Sequence, residues 1–228
     1  MYRFIARLFA WAVVAVYLSL PSAQASLVLT VTGVGYGVSG IPMLITRPGQ
    51  SQAAANQYAT QIYIRLGSQQ HTVYCMDLFT SIGYGNYATD LLYPASYPQG
   101  LRAAWILNSY GPLVNNNEAG AALQLALWDV VHDNGDGFAA GSIQLSATAA
   151  TTLRNAAAAI VTSSAGQTSL NATIFQNTVI SNGLPAQNLI AMGVIVPEPS
   201  TVLLFGAGLA MIVGIRSRSR RSRSTPAP

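Results

Sequence analysis

The chain of 228 residues contains no lysine, a single cysteine and few acidic residues. All of its eleven basic residues are arginines, so it can neither acylate itself through lysine nor form an internal Lys–Asn isopeptide crosslink. Because Cys75 is the one cysteine, an intramolecular disulfide is excluded. A cysteine without an intramolecular partner is either a buried thiol or a reactive one. Cys75 is therefore the residue that most needs an explanation.

Charge is also scarce, and it is unevenly distributed. Seven of the arginines lie before residue 26 or after residue 215. Between them, residues 26–196 hold four arginines against six acids, which gives a formal net charge of −2. This part lacks the basic surface that nucleic-acid binding requires, so we expect no nucleic-acid partner. At about 170 residues, it is long enough to bury one core without disulfides.

The N-terminus has the organisation of a secretory signal peptide. Arg3 and Arg7 precede an apolar run over residues 8–20, and the small-x-small sequence Ala23-Gln24-Ala25 follows. This order of charged, apolar and cleavage regions predicts a signal peptide over residues 1–25. The alternative is an uncleaved membrane anchor, but the run is shorter than the roughly 20 residues that span a bilayer. We expect an exported domain over residues 26–195.

The C-terminus combines three segments in residues 196–228. Pro197-Glu198-Pro199 is followed by an uncharged, mostly apolar segment at 201–215 and by an arginine-rich segment at 216–223. A helix over 201–215 would rise about 22 Å, so it spans a bilayer core of about 30 Å only marginally. Arginines directly after such a segment stay on the cytoplasmic side. We therefore predict a C-terminal transmembrane helix with an arginine-rich cytoplasmic tail.

This tail resembles a PEP-CTERM sorting signal of Gram-negative bacteria. The resemblance lies in the tripeptide Pro197-Glu198-Pro199, the short span that contains glycine and the arginine-rich end. It implies recognition by a membrane exosortase, which cuts near the tripeptide and releases the protein to the cell surface or extracellular matrix. It concerns destination and implies no activity.

Periodicity within the exported domain predicts an α+β fold. An antiparallel β-sandwich or barrel-like sheet is expected, with two or three inserted helices packed on it. The turn at 67–70 predicts a hairpin whose second arm carries Cys75. The expected strands cover 26–38, 41–46, 58–66, 71–79, 169–180 and 187–195, and the expected helices cover 98–110, 118–132 and 146–164. Residues 81–97 are predicted to be a long ordered loop.

Two short sequences carry the candidate chemistry. Cys75 lies in Tyr74-Cys75-Met76-Asp77, and Gln124 shares one face of a predicted helix with Trp128. A thiolate held against a carboxamide, with water excluded, can expel ammonia and leave an internal thioester. The alternative is that Cys75 is an unreactive buried thiol and Gln124 a hydrogen-bonded core amide.

These sequences resemble a bacterial surface thioester domain of the TQXA type over residues 58–133. The resemblance implies a Cys75–Gln124 thioester that acylates an amine, usually a lysine, on a partner surface. It also implies a single bond-forming event, so we expect neither an enzyme nor a cofactor or metal. Leu123 departs from the threonine that the family often has before the glutamine. Supporting motif positions are Tyr74, Asp77, Ala126 and Trp128.

Three alternatives stay open from the sequence. A structural protein of the extracellular matrix with no active thioester is consistent with the alanine, glycine, serine and tyrosine content. A cysteine hydrolase would need His132 or His71 as the base for Cys75, and neither lies in a recognisable protease motif. Residues 133–137 offer oxygen ligands for calcium, but they lack the length and the closing glutamate of an EF-hand, which favours a plain turn.

Overall fold

The computed structural model describes residues 27–180 and 186–193. The predicted signal peptide over 1–25, the sorting signal over 196–228 and its apolar span at 201–215 lie outside these residues. Within the two described ranges, no helix is both long and apolar enough to cross a membrane.

The exported domain has an α+β fold with a large antiparallel sheet and three α-helices in the described part, as the periodicity predicts. In chain order the elements are β1 (Leu27–Ile45), β2 (Ala53–Leu66), β3 (Gln69–Cys75), β4 (Gly85–Leu92), α1 (Gly100–Tyr110), α2 (Asn117–Asp133), β5 (Ile143–Leu145), α3 (Thr151–Ser163), β6 (Ala172–Ile180) and β7 (Leu189–Met192).

The strand pairings close into a ring. β1 pairs with β2, β2 with β3, β3 with β7, β7 with β6, β6 with β4, and β4 pairs again with β1. All of these pairs are antiparallel, and β5 adds to the end of β1. The predicted antiparallel sheet therefore has a barrel-like order. The closed order leaves few strand edges to solvent in the described part.

One long bulged strand replaces the two strands predicted over 26–38 and 41–46. Its register against β2 shifts three times, the last time between Val38 and Ile41. A β-bulge bends its strand, which allows β1 to pair with β4 near its start and with β5 at its end. Gly37 lies at one shift, where an added Cβ would approach the Cβ of Thr60 to 2.4 Å.

Strand β4 corrects the loop predicted at 81–97. The segment is rich in residues typical of turns, yet Tyr87 and Thr89 are buried on alternate positions of a regular strand. The strand pairs with β1 and β6, so tertiary pairing prevails over local composition. The hairpin of β2 and β3 is confirmed, although β3 ends at Cys75 and not at residue 79.

Helix α2 is the central helix of the described structure. Its cap is Asn116, whose side-chain oxygen accepts a hydrogen bond from Ala119 N at 2.9 Å. Eleven of its seventeen residues are buried, as expected for a helix that is apolar on most sides. An added Cβ at Gly120 would lie 2.3 Å from the carbonyl oxygen of Tyr36. This close approach to β1 positions the following turn, which carries Gln124.

Candidate functional site

Cys75 is the last residue of β3, and it lies inside the core. Only 6% of the residue is exposed, and its neighbours Tyr74 and Met76 are buried. Burial raises the pKa of the Cys75 thiol well above its usual range, and the nearby charge of Asp77 acts in the same direction. The thiol is therefore neutral and shielded from water.

The side chain of Gln124 hydrogen-bonds to the backbone of Cys75, whereas the hydrogen bond of the sulfur goes to another residue. Gln124 Oε1 accepts a hydrogen bond from Cys75 N at 2.8 Å, and Gln124 Nε2 donates to Cys75 O at 2.8 Å. The residue has no exposed surface. Both polar groups of the carboxamide are hydrogen-bonded. They take the place of the backbone partners that a neighbouring strand would offer to Cys75 N and O. Gln124 thus attaches α2 to the end of β3.

A second glutamine, Gln187, faces the thiol. The sulfur of Cys75 donates a hydrogen bond to Gln187 Oε1 over 2.9 Å. A carbonyl carbon lies about 1.2 Å from its oxygen, so the carbon of this carboxamide is within about 4.1 Å of the sulfur. Gln187 Nε2 donates to the carbonyl oxygen of Asp77, and the residue is 6% exposed. The carboxamide is thus held on both sides beside a thiol.

The position of Gln187 follows from the pairing of β7 with β3. Leu189 is the register partner of Cys75, so Gln187 lies two residues before that pair. The connection is tightened by Asn188, whose carbonyl oxygen accepts from Met76 N at 2.7 Å. Asn177 of β6 donates through Nδ2 to the carbonyl oxygen of Gln187 at 2.6 Å. Backbone and side-chain contacts therefore hold the approach to β7 against the thiol.

The supporting motif positions have structural contacts. Asp77 Oδ1 accepts from Phe79 N at 2.8 Å, and Oδ2 accepts from Thr80 Oγ1 at 2.8 Å, so this carboxylate forms the turn after β3. The buried hydroxyl of Tyr74 accepts from Gln61 Nε2 at 2.8 Å, and burial raises its pKa to about 12.

Two further motif positions lie on the buried face of α2. Ala126 has no exposed surface and Trp128 is 2% exposed. The indole Nε1 of Trp128 has no hydrogen-bond partner among the described residues, which leaves a buried donor in the core. No interaction of this donor with Cys75 is present in the described part.

Neither histidine is arranged as a base for Cys75. His132 Nε2 accepts from Leu78 N at 3.1 Å, and its ring packs against Phe79 with the centroids 4.5 Å apart. Burial lowers the pKa of both His132 and His71. Within residues 27–180 and 186–193, the hydrogen-bond partner of the thiol is Gln187 and not a histidine. This arrangement does not favour the hydrolase alternative.

The sequence singled out Cys75 and Gln124 as candidates, but not Gln187. The structure brings all three together, although Cys75 and Gln187 are separated by 112 positions in the chain. The available signal was an amide pair, Gln187-Asn188, directly before the apolar sequence Leu189-Ile190. That pattern indicates a buried polar group at the start of a strand, but it does not indicate which residue it contacts.

Comparison with known proteins identifies the sorting signal. Residues 196–221 match the PEP-CTERM protein-sorting motif. No curated protein and no solved structure matches the chain. The chain is therefore an exported bacterial protein whose sorting motif points to the cell surface or the extracellular space, and exosortase recognition follows from this motif. The motif covers the tail alone and carries no information on the activity of the exported domain.

Proposed function

We propose that the exported domain is a covalent binding module in which Cys75 forms an internal thioester and then acylates an amine on a partner surface. The observation that carries the proposal is the 2.9 Å contact of Cys75 Sγ with the carboxamide oxygen of Gln187. The sequence resemblance favours Gln124 as the acyl partner. The contact geometry favours Gln187, because Gln124 engages the backbone of Cys75.

Thioester formation needs few groups in this site. The sulfur attacks the carboxamide carbon, the S–C bond forms and the C–N bond breaks. The thiol proton leaves with the nitrogen as ammonia. The hydrogen bond from the thiol polarises the carbonyl of Gln187, and fixed contact removes much of the entropic cost of bringing the groups together.

Transfer to a partner reverses the role of the sulfur. An amine nitrogen attacks the thioester carbon, the S–C bond breaks, and the thiol of Cys75 is regenerated as the amide forms. The burial of both residues supports a thioester that resists hydrolysis before it meets a target. Because the chain contains no lysine, a lysine that accepts the acyl group must belong to another molecule, on a cell surface or in the matrix. We propose no turnover.

A structural matrix role is the second candidate. It is favoured by the hydrogen bonds that already satisfy the carboxamides of Gln124 and Gln187 and by the raised pKa of the thiol. In that case, Cys75 is a packed core residue and the module is inert. The same experiment distinguishes the two functions.

Methylamine labelling followed by tryptic mapping tests the proposal and its geometry together. Cleavage after arginine puts Cys75, Gln124 and Gln187 in three different peptides, since Arg65, Arg102 and Arg154 separate them. Methylamine replaces the amide nitrogen of whichever glutamine was the acyl partner. We expect an N-methylated glutamine at position 187 in the peptide that begins after Arg154.

The controls use residues of the same peptides. Label at Gln176, which shares the tryptic peptide with Gln187 but is exposed in β6, would indicate non-specific reaction. Methylamine label at Gln124 would support a thioester but show that Gln124, and not Gln187, is the acyl partner of Cys75. A chain that takes up no methylamine and carries a full complement of amide nitrogens would overturn the thioester and leave the structural role.

A further inference from the structure

Three carboxylates converge where helix α2 ends. Asp129 and Asp133 are four residues apart on one face of the helix, and Asp136 lies in the loop that follows. One ligand oxygen from each lies within 4.8 Å of the others. Acidic groups are disfavoured near the C-terminus of a helix, because the helix dipole is negative there. The cluster therefore needs a compensating charge.

Backbone contacts hold the loop around the cluster. Asp133 Oδ1 accepts from Ser142 N at 2.9 Å, and Oδ2 accepts from Ile143 N at 2.7 Å. Gly141 has a φ of +77°, and an added Cβ there would lie 2.8 Å from oxygens of both Asp133 and Asp136. The loop thus packs closely against these carboxylates, which keep free lone pairs on their oxygens.

Asp129 is the buried member of the cluster, and it is incompletely satisfied. It has no exposed surface, and Oδ2 accepts a long hydrogen bond of 3.3 Å from Gly137 N. Its Oδ1 has no hydrogen-bond partner among the described residues. A buried carboxylate oxygen without a partner is costly.

The nearest arginine does not provide the missing partner. Arg102 donates through Nε to Ser164 Oγ, through Nη1 to Asn134 O and through Nη2 to Val161 O. Its hydrogen bonds thus join α1 to the loop and to the end of α3. Among the described residues, Asp129 forms no ion pair with Arg102. The charge of Arg102 reduces the repulsion but does not satisfy Asp129 Oδ1.

We propose that Asp129, Asp133 and Asp136 form a calcium site. Carboxylate oxygens are the ligands of hard divalent cations, and three of them at this spacing surround a position that one ion can occupy. Asp136 is exposed, so water can reach the site and complete the coordination. Calcium tolerates irregular coordination by six to eight oxygens, whereas magnesium demands a near-ideal octahedron.

The ion would fix the end of α2 to the loop that follows. Ligands from the helix and from the loop would then share one centre, which would offset the mutual repulsion of the three carboxylates. The site begins at Asp129, the residue directly after Trp128, on the helix that carries Gln124. This inference is independent of the thioester, because none of its three ligands contacts Cys75 or Gln187 in the described structure.

Calorimetric titration of the purified full-length chain with calcium tests the site. We expect one saturable site with a Kd of about 10⁻⁴–10⁻³ M, the range of extracellular calcium modules. Asp136→Asn removes a charged ligand from an exposed position, so the fold is retained and the affinity falls at least about tenfold. Asp90→Asn, an equally exposed acid on β4, is the matched control and leaves the affinity unchanged.

The Tm with and without calcium and the affinity for magnesium complete the test. Calcium raises the Tm of the wild-type chain and of Asp90→Asn, but not of Asp136→Asn at the same concentration. No saturable binding up to about 10 mM calcium would overturn the site. Equal affinity of the wild-type chain and Asp136→Asn would overturn the assignment of ligands, and equal affinity for magnesium would overturn the preference for calcium.

Discussion

Cys75 is contacted from two sides by buried glutamines, and the two sides differ in the atoms that they engage. On the helix side, Gln124 pairs with the backbone N and O of Cys75. On the strand side, Gln187 approaches the sulfur through its carboxamide oxygen. Both side chains are nearly or fully inaccessible to solvent, so exposure does not distinguish them.

This difference suggests separate roles for the two glutamines: one positions Cys75 and the other reacts with it in the proposed thioester. A carboxamide that accepts from the N and donates to the O of one residue fixes the end of β3, and its oxygen meets a backbone N–H and not the thiol. A carboxamide whose oxygen meets the thiol has its carbon within about 4.1 Å of the nucleophile. Gln124 is therefore interpreted as a positioning residue, and Gln187 as the acyl partner, in the proposed thioester.

The largest expected effect comes from removing each glutamine in turn. Gln187→Ala abolishes incorporation of methylamine, because the acyl carbon is lost. Gln124→Ala retains incorporation at Gln187 but slows thioester formation, because Cys75 is held less firmly. Mass spectrometry of the tryptic peptides measures both results. The opposite pattern, in which Gln124→Ala abolishes the label and Gln187→Ala retains it, would reverse the two roles.

The second effect concerns stability, and it is measured in a Cys75→Ala background where no thioester can form. Gln124→Ala leaves the buried N and O of residue 75 without partners. We expect the free energy of unfolding to fall by about 2–6 kcal/mol, since each of the two unsatisfied buried groups costs about 1–3 kcal/mol. Urea denaturation monitored by tryptophan fluorescence gives this value.

Gln187→Ala in the same Cys75→Ala background is the matched control. It leaves one carbonyl, that of Asp77, without its donor, and the thiol contact is already absent. The expected loss is about 1 kcal/mol. If Gln187→Ala proved the more destabilising of the two, the helix-side glutamine would not be the main positioning residue.

The third effect uses the free thiol of the Gln187→Ala chain. The pKa of Cys75 is raised by burial, so the folded protein has less thiolate at about pH 8 than an exposed cysteine with its usual pKa of about 8.5. Alkylation by iodoacetamide is then at least about tenfold slower in the folded chain than in the unfolded chain. The rate rises with pH throughout the alkaline range, because the thiolate fraction keeps increasing. A rate that levels off near pH 8.5 would contradict a shielded, neutral thiol.

Much of the fold was predictable from local patterns. The apolar spacing of 118–132 predicted α2 within one residue at either end, and the turn at 67–70 predicted the hairpin of β2 and β3. Strand β4 was missed because its glycine- and tyrosine-rich surroundings are typical of loops. Its strand conformation depends on pairing with β1 and β6, which local sequence does not encode.

The candidate site was only half predictable for the same reason. Cys75 and Gln124 lie in short motifs that can be recognised in isolation. Gln187 is 112 residues from Cys75, and it reaches the thiol because β7 pairs with β3 in the sheet. The acidic cluster was likewise only partly visible in the sequence. The predicted turn at 133–137 contains Asp133 and Asp136, whereas Asp129 joins them from one helical turn earlier.

The most direct test of the central claim is the intact mass of the purified chain compared with that of its Cys75→Ala variant. Both undergo the same processing at their termini, so their comparison isolates the site. We predict that the wild-type chain is lighter than its sequence requires by one ammonia, that methylamine removes the thioester, and that the variant shows no deficit. A wild-type chain with its full mass and a thiol that alkylates on unfolding would contradict the thioester.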